Sequence, residues 1–406
     1  MGNLLRVLEF GIYWSLILIP FAAGVAPGPM NGFMGCFIGF VTLKKLILRQ
    51  RLFERSFVLA AFLVYFLVVC LSLVHSVSLG DSLKGGVGRL LLFAFVMFGM
   101  RDQIRDARHL RYIVYAVAAG VCFTSIDAIW QVAMGWDMVR HYPPESLLGM
   151  VRAKASFKDP NTFGIYLSAF AAFPLAFFLF YVRGKRRLLL AVACALVVAG
   201  IVLTYSRPTL LALLVILIVL GLMRGSKRLL LLLLLFLIAA PFVMPRNVKE
   251  WAKSVDYTPI RFMCNDDRIS IFRNSLNMIR RHPVIGVGAN TFMKNYKDYK
   301  EVPEYRNAIT SDYCYAHNNF LHMAGETGLL GLGAFLLFLW ALFREGARTC
   351  RSLHDPFLKV TALALISSLA AFLVNGLTES SLYYSRVALL FWFLAGALLS
   401  LDRWTA

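Results

Sequence analysis

The sequence predicts an all-α polytopic membrane protein of about twelve transmembrane helices. Three observations predict it. Apolar residues fill 59% of the 406 positions and charged residues only 16%, against about 25% charged in an ordinary soluble domain. The apolar residues come in long uninterrupted runs, and the mean hydropathy is +0.68. Runs such as Leu188–Leu203 and Leu229–Ala240 also lack the period-two alternation of barrel strands. In hydrocarbon every backbone N–H and C=O must find a partner within its own span, so these runs are helices.

The helices are expected at 10–26, 31–47, 56–79, 87–100, 110–136, 161–182, 187–205, 208–223, 228–243, 318–343, 357–375 and 386–401. Two of them, 87–100 and 208–223, are short for the bilayer core and would need local thinning or a neighbouring segment to extend them. The first run, Phe10–Ala26, lacks a small-residue cleavage site and is followed by further spans, so it reads as a helix and not a cleaved signal.

The net charge of +20 does not point to nucleic acid, because the basic residues form short clusters between apolar runs instead of one patch. Lys44, Lys45, Arg49, Arg51 and Arg55; Arg101, Arg105, Arg108 and Arg111; Arg183, Lys185, Arg186 and Arg187; Arg224, Lys227 and Arg228; and Arg344, Arg348, Arg351 and Lys359 occupy alternate loops. Clusters of this kind mark the cytoplasmic side. With an even number of helices, both termini are then cytoplasmic. The chain divides into transmembrane helices one to nine (1–243), a large periplasmic loop with short helices (244–316) and helices ten to twelve (317–406). A smaller outer segment runs from Trp136 to Pro160. Within the large loop, Ile269, Phe272, Leu276 and Ile279 give Asp267–Arg281 helical spacing. His282-Pro283 ends that helix, and Gly286-Val-Gly288 supplies a turn. Loops this long are often functional, and the excess of Lys and Arg here suits an anionic lipid or phosphate.

Four short segments could carry chemistry. In Tyr315–Gly328, His317 falls where the large loop re-enters the membrane at a helix start, where an imidazole can move a proton near neutral pH. A capping role would place it there equally well. His322 lies about 140° around the helix from His317, so the two make no metal pair. His322 and Glu326 share a face at i, i+4 and read as a buried supporting pair. Gly325, Gly328, Gly331 and Gly333 read as close helix packing. In Thr204–Pro208, Arg207 lies at the outer surface, where arginine either serves a ligand or snorkels to headgroups. At the start of the loop helix, Arg268 and Arg273 could clamp a pyrophosphate if they converge. In Ala155–Asn161, Asp159 and Pro160 make an ordinary helix start, which leaves Lys158 and Asn161 as weak ligand contacts. Asp127, inside a span, is either a polar bundle contact or part of a cavity wall.

These pieces, in this order, resemble the bacterial O-antigen ligase and polymerase superfamily of membrane glycosyltransferases. The matching residues are Phe157-Lys-Asp-Pro-Asn161, Ser206-Arg207, Asp267-Arg-Ile-Ser-Ile-Phe-Arg273 with Pro283-Val-Ile-Gly-Val-Gly288, and His317-Asn318 with Glu326-Thr-Gly328. The resemblance implies a GT-C-type architecture and transfer of a glycan from undecaprenyl pyrophosphate to lipid A–core oligosaccharide at the periplasmic face, with inversion and with no cofactor, metal or nucleotide sugar. It implies His317 as the base on the acceptor hydroxyl, and Arg207, Arg268 and, less directly, Arg273 as pyrophosphate ligands. Lys158, Asn161, Asn318, His322 and Glu326 are the supporting positions. The single large outer loop favours a ligase over a polymerase, and the chain stopping at Ala406 favours it over a protein O-glycosyltransferase. A lipid or polysaccharide transporter is the alternative of a different class, but transporters place their ionisable residues near the midplane.

Of the cysteines, Cys36, Cys70, Cys122 and Cys194 lie in apolar runs and Cys350 faces the cytoplasm. They read as small hydrophobes or reduced thiols. Cys264 and Cys314 both lie in the outer loop, and a disulfide between them is expected. It would close a loop of about fifty residues, worth roughly 4 kcal/mol in the chain-entropy model.

Overall fold

The computed structural model describes residues 2–147, 150–243, 266–300 and 313–405. The protein is an all-α polytopic membrane protein. Eleven of its described helices are long and apolar enough to cross a membrane. In chain order these are α1 (Gly2–Val25), α2 (Pro27–Ile47), α3 (Phe57–Leu71, with a 3₁₀ turn to His75), α4 (Leu79–Gln103), α5 (Ala107–Met134), α6 (Pro160–Phe180), α7 (Arg186–Leu203), α8 (Arg207–Arg224), and three more given below. The remaining expected run, the ninth at 228–243, is also helical, as α9 (Lys227–Val243), but has 17 residues. The large loop contributes α10 (Asp266–Arg281), and the last three long helices are α11 (Asn319–Ser352), α12 (Pro356–Asn375) and α13 (Ser385–Ser400). Between α5 and α6 lies a small hairpin that the sequence does not announce, β1 (Glu145–Leu147) with β2 (Met150–Arg152).

The helix ends follow side-chain chemistry. Ser56, Asp106, Asp159 and Asp355 each accept a backbone N–H at the start of α3, α5, α6 and α12, and Pro160 and Pro356 occupy first-turn positions where no N–H is needed. The span expected at 87–100 is longer than its hydropathy suggests. It begins at Leu79 and passes through a π-helical stretch, Ser82–Gly88. The glycines and Lys84 of that stretch dilute the apolar signal, so the helix needs no thinned bilayer.

The most buried spans are α6, α12 and α13. Helix α12 packs between α6 and α8, α13 packs along α4, and α3 packs along α11. The basic clusters gather at one end of the bundle. There Lys45, 3% exposed, pairs with the buried Asp102, Arg101 meets Asp402 at 2.7 Å, and Arg403 meets Glu54 at 3.1 Å. The opposite end carries residues 135–147, 150–159, 204–206, 282–291, 313–318 and 376–384.

At that opposite end α11 is broken at Gly328, whose φ of 68° and ψ of −175° are not helical. The break frees backbone groups on both sides, and the 283–288 turn takes them up. Val287 N–H donates to Gly325 O (3.0 Å), Gly288 N–H to Glu326 O (2.9 Å), Leu329 N–H to Pro283 O (2.8 Å) and Leu330 N–H to Val284 O (3.3 Å). Irregular backbone at this depth is tolerated because protein pairs it. The expectation that Gly325, Gly328, Gly331 and Gly333 all serve close helix packing is therefore corrected at Gly328, which makes a chain break. Packing does hold at Gly325, where a Cβ would come within 2.9 Å of Phe292, and fails at Gly333, which faces open space.

Candidate active site

The site grows from the first residues of α11. Asn318 is the N-cap, its Oδ1 accepting from Phe320 N–H (2.8 Å) and Leu321 N–H (3.0 Å). His317 precedes it with φ 47°, a region that a non-glycine residue rarely enters and that often marks functional positions. The same two asparagines of His317-Asn-Asn319 stitch the α12–α13 connection to this helix start. Asn318 donates to Leu377 O (2.9 Å). The fully buried Asn319 donates to Ser381 Oγ (2.8 Å), accepts from Leu382 N–H (3.0 Å) and donates its own N–H to Gly376 O (2.7 Å). This connection holds Glu379 against His317.

Glu379 is the centre of the cluster and is 4% exposed. Its Oε2 lies 3.2 Å from His317 Nδ1. Its Oε1 accepts from Asn161 Nδ2 (3.0 Å) and from the Arg268 guanidinium, with which it forms an ion pair. Burial pushes the carboxyl's pKa up, but Arg268 and His317 more than offset it, so the group stays below the ordinary carboxylate range. An ionised acceptor at Nδ1 fixes the donor hydrogen on that nitrogen and leaves Nε2 as the basic one. Further out, Arg152 donates to Asn161 Oδ1 (3.2 Å), to Thr204 O (3.0 Å) and to Glu145 (2.8 Å). It thereby ties the small hairpin and the α7–α8 turn to the same network. That turn places Arg207 as the first residue of α8, after Tyr205 at φ 48°.

Of the residues singled out from sequence, the structure brings together His317, Arg268, Asn161 and, as the cap, Asn318. His322 and Glu326 sit one layer deeper. His322 Nε2 is 3.3 Å from Glu326 Oε1 and its Nδ1 is 3.2 Å from Ser380 Oγ. The imidazole is stacked between Phe292 and Tyr383. Glu326 also accepts Phe292 N–H at 3.1 Å. The pair therefore braces the connection that carries Glu379. Arg273 is exposed and lies about 140° around α10 from Arg268, so the two arginines do not converge. Lys158 is exposed. Asp127 turns out to be a loop anchor, its Oδ1 accepting Met138 N–H at 2.7 Å. The expected Cys264–Cys314 disulfide lies outside the described residues, because Cys264 is not among them; Cys314 is buried.

Sequence reasoning missed Glu379, Arg152 and Asn319. The one available signal was Glu379 itself, an acidic residue in a short polar connection between two strongly apolar helices.

Among known proteins, a family model described as O-antigen ligase matches residues 192–336. The matched stretch contains Arg207, Arg268 and His317 but stops short of Glu379. No curated protein matches the chain at a significant level.

Proposed function

We propose that this chain, a member of the O-antigen ligase and polymerase superfamily, is an O-antigen ligase. It would move a glycan from undecaprenyl pyrophosphate to a lipid A–core acceptor at the periplasmic face of the inner membrane, both termini being cytoplasmic. The observation that supports this reading best is the His317–Glu379–Arg268 cluster. It sets a base, the carboxylate that orients it and a cation side by side, at the bundle end away from the basic clusters.

The chemistry is a single displacement. His317 Nε2 takes the proton of an acceptor hydroxyl as the oxygen attacks the anomeric carbon. Glu379 holds Nδ1–H and stabilises the imidazolium that forms. The bond from the anomeric carbon to the pyrophosphate oxygen breaks, with inversion, and the leaving pyrophosphate gains charge. Arg268 and Arg207 stabilise that charge in the transition state more than in the ground state. A GT-C-type arrangement, with the site at the outer ends of the helices, fits a donor whose lipid remains in the bilayer.

The test is reconstituted transfer from undecaprenyl-pyrophosphate-linked glycan to lipid A–core, comparing wild type with His317→Ala and Arg207→Ala. Acceptor-dependent product lost in both variants supports the ligase. Chain extension without the acceptor would make the protein a polymerase. Transfer to a protein acceptor would make it a protein O-glycosyltransferase. Well-folded protein that makes no glycosidic bond with several donors would return it to the transporters.

A further inference from the structure

The connection from α5 to β1, residues 135–144, is held by buried polar groups. Asp137 is fully buried, and its carboxylate accepts the backbone N–H groups of Val139 (3.0 Å), Arg140 (2.8 Å) and Tyr142. Asp127 accepts Met138 N–H. Gln131, also fully buried, donates to Tyr142 O (2.9 Å) and Ala155 O (3.3 Å) and accepts from Lys154 N–H (2.8 Å) and Ala155 N–H (2.9 Å). His141 is held at φ 58°. Three buried side chains thus impose one shape on a short surface segment, at the cost of its conformational freedom.

What that shape presents is a set of rings and cations. The imidazole of His141 lies flat on Trp136, with centroids 4.9 Å apart and planes 5° from parallel. Trp130 braces Trp136 edge-on at 5.7 Å. Arg140 and Lys154 stand over Tyr142 at 5.5 and 5.9 Å. Trp136 and Tyr142 remain 39% and 37% exposed. The same loop unit contains Arg152, which reaches Asn161 and through it Glu379, so hydrogen bonds link this segment to the candidate active site.

We propose that Trp136, Arg140, His141, Tyr142 and Lys154 form a sugar-binding platform that seats a glycan unit bearing phosphate or carboxylate, away from the reacting carbon. The inference rests on the glycan-transfer reading above. Aromatic planes suit the C–H faces of pyranose rings, and the two cations suit an anionic substituent. A lipid headgroup is the less fitting occupant. Side chains that merely snorkel to a headgroup need no fixed backbone beneath them, whereas this segment is fixed by two carboxylates and an amide.

The experiment uses the full chain in nanodiscs and two probes: lipid-free phosphorylated core oligosaccharide, and the same oligosaccharide after phosphatase treatment. Binding is followed by saturation-transfer NMR and titration, alongside transfer kinetics. The phosphorylated probe should bind about tenfold more tightly than the other. Trp136→Ala and the charge reversal Arg140→Glu should each weaken it by about tenfold and raise the KM for glycan with kcat unchanged, a change of about 1.4 kcal/mol. Equal binding by wild type and both variants overturns the platform. So do variants that bind the oligosaccharide normally but lose affinity for anionic-lipid vesicles, because the surface then serves the membrane. Because the binding readout needs no turnover, it stands even if transfer is never seen. Conversely, transfer with unchanged KM in both variants removes the platform and leaves the proposed function intact.

Discussion

Glu379 Oε2 lies 3.2 Å from His317 Nδ1 across 62 positions of sequence, and the same carboxylate pairs with Arg268. One buried anion therefore orients the imidazole and positions the guanidinium. Glu379→Gln keeps the hydrogen-bonding shape but removes the charge. It should lower kcat by roughly 10²-fold with KM little changed, within the 10²–10⁴ range of general-base effects. Single-turnover transfer of labelled glycan measures this, and a wild-type rate in the variant would exclude the orienting role.

Because Arg268 and His317 hold the Glu379 pKa below its ordinary 4.5, the folded state binds fewer protons there than the unfolded chain. The stability this supplies is fully present above about pH 4.5 and is lost as pH falls through the depressed value. Thermal unfolding in detergent between pH 7 and pH 3.5 should show wild type ahead of Glu379→Gln at a constant margin down to about pH 4.5, narrowing below it.

His282 works in the opposite direction. Burial lowers its pKa from the ordinary 6.5, with help from His75 and Arg281. Protonation therefore favours the unfolded chain, so stability is complete at pH 7.5 and falls as pH drops through 6.5. His282→Asn should flatten that slope between pH 7.5 and 5.5. An unchanged slope in the variant would assign the effect to another group.

Arg268→Lys preserves the charge but not the fork. Loss of the second N–H direction should cost roughly 10²-fold in kcat/KM, comparable to the removal of one transition-state donor. Steady-state kinetics with the pyrophosphate-linked donor would show it, and near-normal turnover would make Arg268 a purely structural partner of Glu379.

Gly328 has φ 68°, and a Cβ there would sit 2.1 Å from Val284 O. Gly328→Ala should destabilise the protein by about 1–3 kcal/mol or more through strain and collision. Gly333→Ala, whose Cβ meets nothing within 4 Å, should leave the melting temperature unchanged. Equal melting of the two variants would contradict the break at Gly328.

The helices were legible because hydropathy over about twenty residues is a local quantity, and the basic clusters added a topological check. His317 and Arg268 were legible as chemistry-bearing side chains at element boundaries. Glu379 was not, because its role depends on which end of α12 meets which end of α11, and no local pattern encodes that contact. Convergence of Arg268 with Arg273 is left open by charge alone, and the five-residue spacing sets them about 140° apart around α10. The break at Gly328 was hidden because a glycine inside an apolar run reads the same whether it packs or turns. The hairpin of β1 and β2 has strands of three residues, too short to establish an alternation.

The clasp between the 283–288 turn and α11 fixes a length of chain. Four backbone hydrogen bonds grip both sides of the Gly328 break, and His75 Nδ1 adds a contact to Gly286 O at 2.9 Å. An inserted or deleted residue between Arg281 and Gly288 would slip every one of these pairs out of register and rotate α10, with Arg268 on it, away from Glu379. This short turn should therefore tolerate changes of side chain but not of length. Its spacing works as a ruler that keeps the arginine and the histidine at one working distance.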